Sequence, residues 1–209
     1  MLIDITNDAS TEPYPGWQPD HTRALAQFLL QQLRIPAGSE LSIAFLDPEP
    51  MAELHQQWLD LPGPTDVMSF PMDEMREGAA AAGHLGDVAI CPQVAAAQAA
   101  EAQHSPRAEV DLLLTHGVLH LLGHDHAEPE EHAVMFAKQA QLLAAWQTNH
   151  WYAYGTATPS ASLSSASRDT QLEEPEASAA EPAHGAQLDE PGAAAAEPAQ
   201  ATNPEQVHP

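Results

Sequence analysis

The sequence predicts an α+β fold: a small mixed sheet of about four strands covered by helices. Three observations carry that expectation. Short apolar runs of strand length are confined to the first ninety or so residues, with the period-two alternation of half-buried strands. Helical stripes dominate from there to about residue 154, and strands first with helices last is the order of an α+β domain. The stretch Val110–Leu122 is apolar nearly all round, as a helix at the centre of a domain is.

The elements follow in order. Leu2–Asn7 alternates as a half-buried strand. His21–Leu33 carries a helical stripe at Leu25, Phe28, Leu29 and Leu33, with Asp20 as N-cap. Leu41–Leu46 is the second strand. Pro48 fits the first turn of a helix that sets Met51, Leu54 and Trp58 on one face. Gly63-Pro64 breaks the chain, and Asp66–Pro71 is a third strand stopped by proline. Met72–Gly83, acidic and then alanine-rich, reads as a mobile loop. Gly86–Cys91 is the fourth strand, and Val94–Gln103 an alanine-rich helix. Pro106 opens the helix to Leu122, and Glu130–Ala145 closes the domain as the last helix.

From Gly155 the composition shifts. Those 55 residues hold 14 alanines, 7 prolines, no aromatic residue, and nine acids against Arg168. Such a segment buries too little apolar surface to offset chain entropy, so 155–209 is expected to be a disordered acidic tail rich in Ala, Pro and Glu. Domain 1–154 therefore carries the chemistry.

Charge and cysteine content narrow the function classes. Six basic residues face 30 acidic ones, a net charge of −24. Proteins that grip phosphates unaided are basic, so autonomous tight binding to RNA or DNA is disfavoured. A locally positive cleft built from a metal ion and a few arginines stays open. The single Cys91 excludes a disulfide framework and a thiolate cluster, and at a strand end it reads as a buried, inert thiol. With no leader-like apolar run and no long apolar span, the expected location is the cytoplasm, without membrane contact.

The chemistry concentrates in Thr115–His126. His116 and His120 are four residues apart, so on a helix both imidazoles lie on one face. Gly123 lets the chain leave the helix through a left-handed turn, which can return His126 to a third corner. Three neutral imidazoles and a water make up a catalytic zinc site, one ion per chain, rather than a closed structural one. The frame matches the zinc-protease signature H-E-x-x-H-x-x-G-x-x-H except that Gly117 stands at the glutamate. Glycine accepts no proton, so the scaffold is kept and peptidase chemistry is not. His124, inside the turn, faces solvent or the cleft mouth and is a candidate catalytic group by proximity alone. Asp125 either orients a ligand imidazole or stabilises the turn.

Two further blocks precede this one: Pro64-Thr65-Asp66-Val67-Met68-Ser69-Phe70-Pro71 and His84-Leu85-Gly86-Asp87-Val88. In this order and spacing the three blocks resemble the bacterial YbeY family of rRNA maturation factors, single-strand-specific metal-dependent endoribonucleases, over residues 1–154. The resemblance implies a cytoplasmic protein that processes the 3′ end of 16S rRNA and acts in ribosome quality control. It also implies zinc held at His116, His120 and His126, and a mixed sheet with helices on its faces. One departure stands out. Many members carry an arginine shortly before the Pro-Thr-Asp block, whereas Trp58-Leu59-Asp60-Leu61-Pro62-Gly63 has no basic residue.

The other two blocks leave roles open. Thr65 and Ser69 can donate to a phosphate or serve the turn and strand; the turn is preferred for Thr65, and Ser69 remains a catalytic candidate. Asp87 sits at a cleft floor or fixes the strand entrance, and His84 reads as an exposed loop histidine. The attacking group is water or the RNA 2′-hydroxyl. Expected partners are rRNA within the small ribosomal subunit or its precursor, and a ribosome-associated protein. Alternative readings are a non-catalytic, zinc-stabilised assembly factor and another zinc hydrolase.

Overall fold

A computed structural model of the chain describes residues 1–9 and 18–154. The segment 155–209, expected above to be a disordered tail, lies outside the described residues. The elements run β1 (Leu2–Asn7), α1 (Pro19–Gln32), β2 (Glu40–Phe45), α2 (Pro48–Leu59), β3 (Val67–Pro71), β4 (His84–Ile90), α3 (Pro92–Glu101), α4 (Pro106–Leu121) and α5 (Pro129–Tyr154). This is the expected α+β arrangement, with boundaries shifted by one or two residues at most elements.

The four strands lie in the order β1-β2-β4-β3. β1 pairs with β2 and β2 with β4 in parallel, while β3 runs antiparallel to β4 along one edge. Alternation along β4 divides the core. Val88 and Ile90 join Leu25 and Leu29 of α1, Leu114 and Val118 of α4 and Trp146 of α5 in the main apolar cluster. Ala89 and the neighbouring Cys91 point the other way, onto Met51 and Met68. Period-two side-chain direction thus gives each face its own helical cover. Burial pushes the Cys91 thiol pKa up, in keeping with an inert core cysteine.

Gly86 is required where β4 meets β3. Its φ is +131°, and a Cβ there would stand 2.0 Å from the carbonyl oxygen of Phe70. Gly86→Ala is expected to destabilise the domain by ~3 kcal/mol or more, because the clash is with backbone that cannot rotate away. A denaturant midpoint equal to that of the parent chain would contradict this.

Four expectations are corrected. Asp20 is not the N-cap of α1: Gln18 is, with Pro19 at the first helical position and Asp20 inside the first turn. Proline's fixed φ suits that place, and the carboxylate still meets the positive helix end. Trp58 does not share the burial of Met51; it is 61% exposed at the end of α2, its ring edge against Phe70 at 5.4 Å. α5 continues past Ala145, with Trp146 2% exposed and packed on His21 and Phe28. The fourth concerns Met72–Gly83, which is anchored rather than free. Met72 and Asp73 donate to Leu85 and His84 carbonyls (3.1 and 2.9 Å), Gly78 donates to Leu33 (3.1 Å), and Met75 is buried in the main core. Composition gave no hint of these bonds, since they are made by backbone groups.

Candidate metal centre

The site is built on α4. Ser105 caps that helix, its hydroxyl oxygen accepting the Ala108 N–H at 3.1 Å, and Pro106 takes the first helical position. α4 packs against α1, α3, α5, β3 and β4, the central placement its all-round apolarity predicts. At its far end the His124 N–H bonds the Leu119 carbonyl at 3.1 Å and the Gly123 N–H bonds that of His120 at 2.8 Å. Gly123 has φ +75°. These two bonds and the left-handed glycine form a Schellman cap. Glycine is needed here for a second reason. A Cβ at 123 would lie 2.2 Å from Arg76 Nη1, whose guanidinium donates to the Leu122 carbonyl at 3.3 Å.

The reversal returns the chain so that three imidazoles converge. Ring centroids are 4.6 Å apart for His116 and His120, 5.3 Å for His116 and His126, and 5.0 Å for His120 and His126. One nitrogen from each ring lies within 4.8 Å of the other two. The Nε2 atoms of His116 and His120 are 3.0 Å apart. Tetrahedral zinc with Zn–N bonds of ~2.05 Å sets ligand nitrogens ~3.3 Å apart. The cluster can hold a metal ion, and its all-imidazole donor set with three protein ligands leaves room for a further ligand.

Electrostatics favour the ligand form of the rings. Burial, then the neighbouring His116 and His126, pushes the His120 pKa from the ordinary 6.5 to about 4. Burial also lowers that of His116, against the opposing effect of a hydrogen bond to the Gln139 amide oxygen. Both rings are therefore neutral at pH 7 and a cation need displace no proton from them. A lowered folded-state pKa means that the unfolded chain binds the extra proton, so the associated stability is complete above pH 6.5 and is lost as pH falls toward 4. The metal-free protein is expected to show a falling Tm across that window, and His120→Gln to flatten the fall. Parallel Tm–pH curves for the two proteins would contradict the burial of a neutral His120.

Around the trio stand groups that the sequence did not single out. Gln139 of α5, 7% exposed, sits with Oε1 3.0 Å from His116 Nδ1. Phe136, 39% exposed, places its ring 6.1 Å from both His116 and His126 and stacks on His132 at 4.0 Å. Arg76 brings a cation to the Gly123 turn. These residues come from a loop and a helix distant in sequence, and no local spacing announces them.

The remaining candidates fall outside the trio. His124 binds Glu77 Oε1 at 3.1 Å, and Glu77 also accepts from Lys138 Nζ at 2.8 Å. Asp125 accepts the His126 N–H at 2.7 Å, which places it in the turn. The Ser69 hydroxyl donates to the Gly117 carbonyl at 3.1 Å, joining β3 to α4. Thr65 donates to Asp66 Oδ1 at 3.0 Å, and that oxygen also accepts the Val67 N–H. Asp87 is half exposed beside His84, at 3.9 Å. Among the described residues no helix is long and apolar enough to cross a membrane.

Residues 5–147 match the family described as Endoribonuclease YbeY. A protein of that name from Thermobifida fusca is 53% identical over 153 residues, covering 70% of this chain and 95% of its own length. Another from Streptomyces coelicolor is 47% identical over 169 residues, covering 78% of this chain and all of its own. A third, from Bifidobacterium longum, is 50% identical over 146 residues, covering 68% of this chain and 78% of its own. Matched across the sheet, the motif helix and the turn that carries His126, the chain belongs to the YbeY family.

Proposed function

We propose that this protein is a single-strand-specific, zinc-dependent endoribonuclease of the cytoplasm that matures the 3′ end of 16S rRNA and serves ribosome quality control. The observation that carries the reading is the convergence of His116, His120 and His126 in a chain of the YbeY family. These three side chains would hold the ion. When bound, zinc supplies a Lewis acid that makes a water acidic near neutral pH and offsets charge on phosphoryl oxygens.

The protein's own groups do the rest. The cap at Gly123 and the Asp125 turn bond hold His126 in register with the helix. Ser69 acts by position, fixing α4 on β3 through the Gly117 carbonyl. His124, tethered to Glu77, is the proposed proton carrier at the mouth of the cleft. Phe136 offers a partly open aromatic ring beside the ligands, the kind of surface on which an unpaired base stacks and a paired one does not. Domain 1–154 is the catalytic unit in this reading, and 155–209 an appended acidic tail.

The net charge of −24 sets the partners. Binding to naked RNA should be weak and salt-sensitive, so the assembling small subunit, or a protein on it, supplies most of the docking energy. DNA and membranes are not partners. The same acidity, and the absence of a basic residue at 58–63, favours one second reading: a non-catalytic assembly factor stabilised by zinc.

The decisive assay incubates metal-quantified protein with 16S precursor RNA, free and within particles, beside His116→Ala. Cleavage within particles that is lost in the variant supports the enzyme. A folded, zinc-free variant that still restores rRNA maturation supports the assembly factor and contradicts the enzyme. A cyclic phosphate at the new 3′ end identifies 2′-hydroxyl attack.

A further inference from the structure

Behind the three histidines stands one residue whose chemistry bears on which imidazole nitrogen is free. Gln139 lies on α5, a helix that contributes none of the three ligands, and it is 7% exposed. Its Oε1 is 3.0 Å from His116 Nδ1, the ring nitrogen opposite the Nε2 that faces His120. An amide oxygen only accepts hydrogen bonds. Facing it, Nδ1 must carry the proton, which leaves a lone pair on Nε2. A neutral imidazole with the other tautomer would direct an N–H into the space between the three rings, where a cation has to sit.

We propose that Gln139 is a positioning residue for the metal centre, locking His116 in the Nδ1–H tautomer and fixing its ring so that Nε2 is always presented to the ion. This rests on the metal-centre reading and extends it from the three ligands to α5. The burial of Gln139 makes the lock effective, because no water competes for the Nδ1 proton in a desolvated contact. It also couples the site to helix packing: Met135, Leu142 and Trp146 of α5 sit in the main core with Leu114 and Val118 of α4. A shift of α5 relative to α4 would loosen a ligand without touching it.

The test uses the full chain and zinc alone. In the metal-free protein, two-bond proton–nitrogen NMR of His116 should show the Nδ1–H tautomer, and Gln139→Leu should shift the ring to a mixture. Chelator competition should show Zn2+ binding weakened ~10–100-fold in Gln139→Leu, the usual cost of losing a partner behind a metal-bound histidine. Gln139→Glu, whose carboxylate accepts the same proton, should keep tight binding, whereas Gln139→Met, which fills the same space without that oxygen, should bind zinc as weakly as Gln139→Leu; tight binding in Gln139→Met would show that packing alone sets the affinity and overturn the proposal. Should Gln139→Leu fail to fold, the tautomer of the unaltered chain still decides. An Nε2–H tautomer in that chain, or equal zinc affinity in a folded Gln139→Leu, overturns the proposal and leaves the three-ligand centre standing. Failure of the unaltered chain to take up zinc overturns both.

Discussion

Replacement of His120 by alanine is expected to reduce bound zinc from one per chain to background and to remove RNA cleavage with it. His120 is the ring the other two share, 4.6 Å from His116 and 5.0 Å from His126 by centroid. Without it, the rings of His116 and His126 remain, 5.3 Å apart by centroid, and two is below the three protein ligands that a catalytic zinc site uses. The fold should survive, because the site lies at the end of α4 and the main cluster is built from other residues. The Tm of the metal-free variant should therefore match the parent at pH 8 and exceed it near pH 5, where the parent must bury a ring that resists protonation. That combination separates loss of a ligand from loss of the fold. Stoichiometric zinc in the variant would refute the ligand assignment.

Installing the missing protease base should fail for a reason visible only in the structure. A Cβ at position 117 would stand 2.8 Å from Val88 Cγ1 and 3.0 Å from Ser69 Oγ. Gly117 is the point at which α4 approaches the sheet, with Ser69 bonded to its carbonyl at 3.1 Å. Gly117→Glu must push α4 off β4 and bury a carboxylate against Val88, itself 0% exposed. Overpacking and a buried unpaired charge together are expected to cost ~3 kcal/mol or more. At ~2–4 °C per kcal/mol for a domain of this size, Tm should fall by ~6 °C at least. No casein hydrolysis should appear. A stable variant with peptidase activity would mean that position 117 faces the metal cleft rather than the sheet.

Most of the architecture was legible because it depends on period and punctuation. Strand alternation, the prolines at 48 and 106, and the glycine at 123 each name a local geometry that packing then preserved. The convergence of His116, His120 and His126 was legible for the same reason: i,i+4 on a helix and a glycine turn are local facts. What escaped depends on contacts between distant segments. Gln139 meets His116 only because of the phase at which α5 packs on α4, which no window of sequence encodes. Arg76 reaches the Gly123 turn from a loop whose composition suggested mobility. Gly117 read as a lost carboxylate, whereas its packing role comes from Val88, on a strand nearly thirty residues earlier. Trp58 kept its helical phase with Met51 and Leu54 but meets the sheet only through the edge of Phe70 and stays 61% exposed.

No basic residue stands at 58–63, whereas Arg76 brings a guanidinium to the α4 cap, bonded to the Leu122 carbonyl. The anchored loop that carries it also carries Glu77, bonded to both His124 and Lys138. Burial raises the Glu77 pKa, but hydrogen bonds and charge from Lys138 and His124 outweigh it and hold the carboxyl below the usual range. Loop, turn and α5 are thereby joined around the ligands, so substitutions in 72–83 are expected to act on the site without altering its three donors.

Zinc-edge X-ray absorption on the reconstituted protein reads the coordination sphere itself. One zinc per chain is expected, with three imidazole nitrogens at ~2.0–2.1 Å and one light, exchangeable ligand. A fourth protein donor closing the coordination sphere, or fewer than three imidazoles bound, would contradict it.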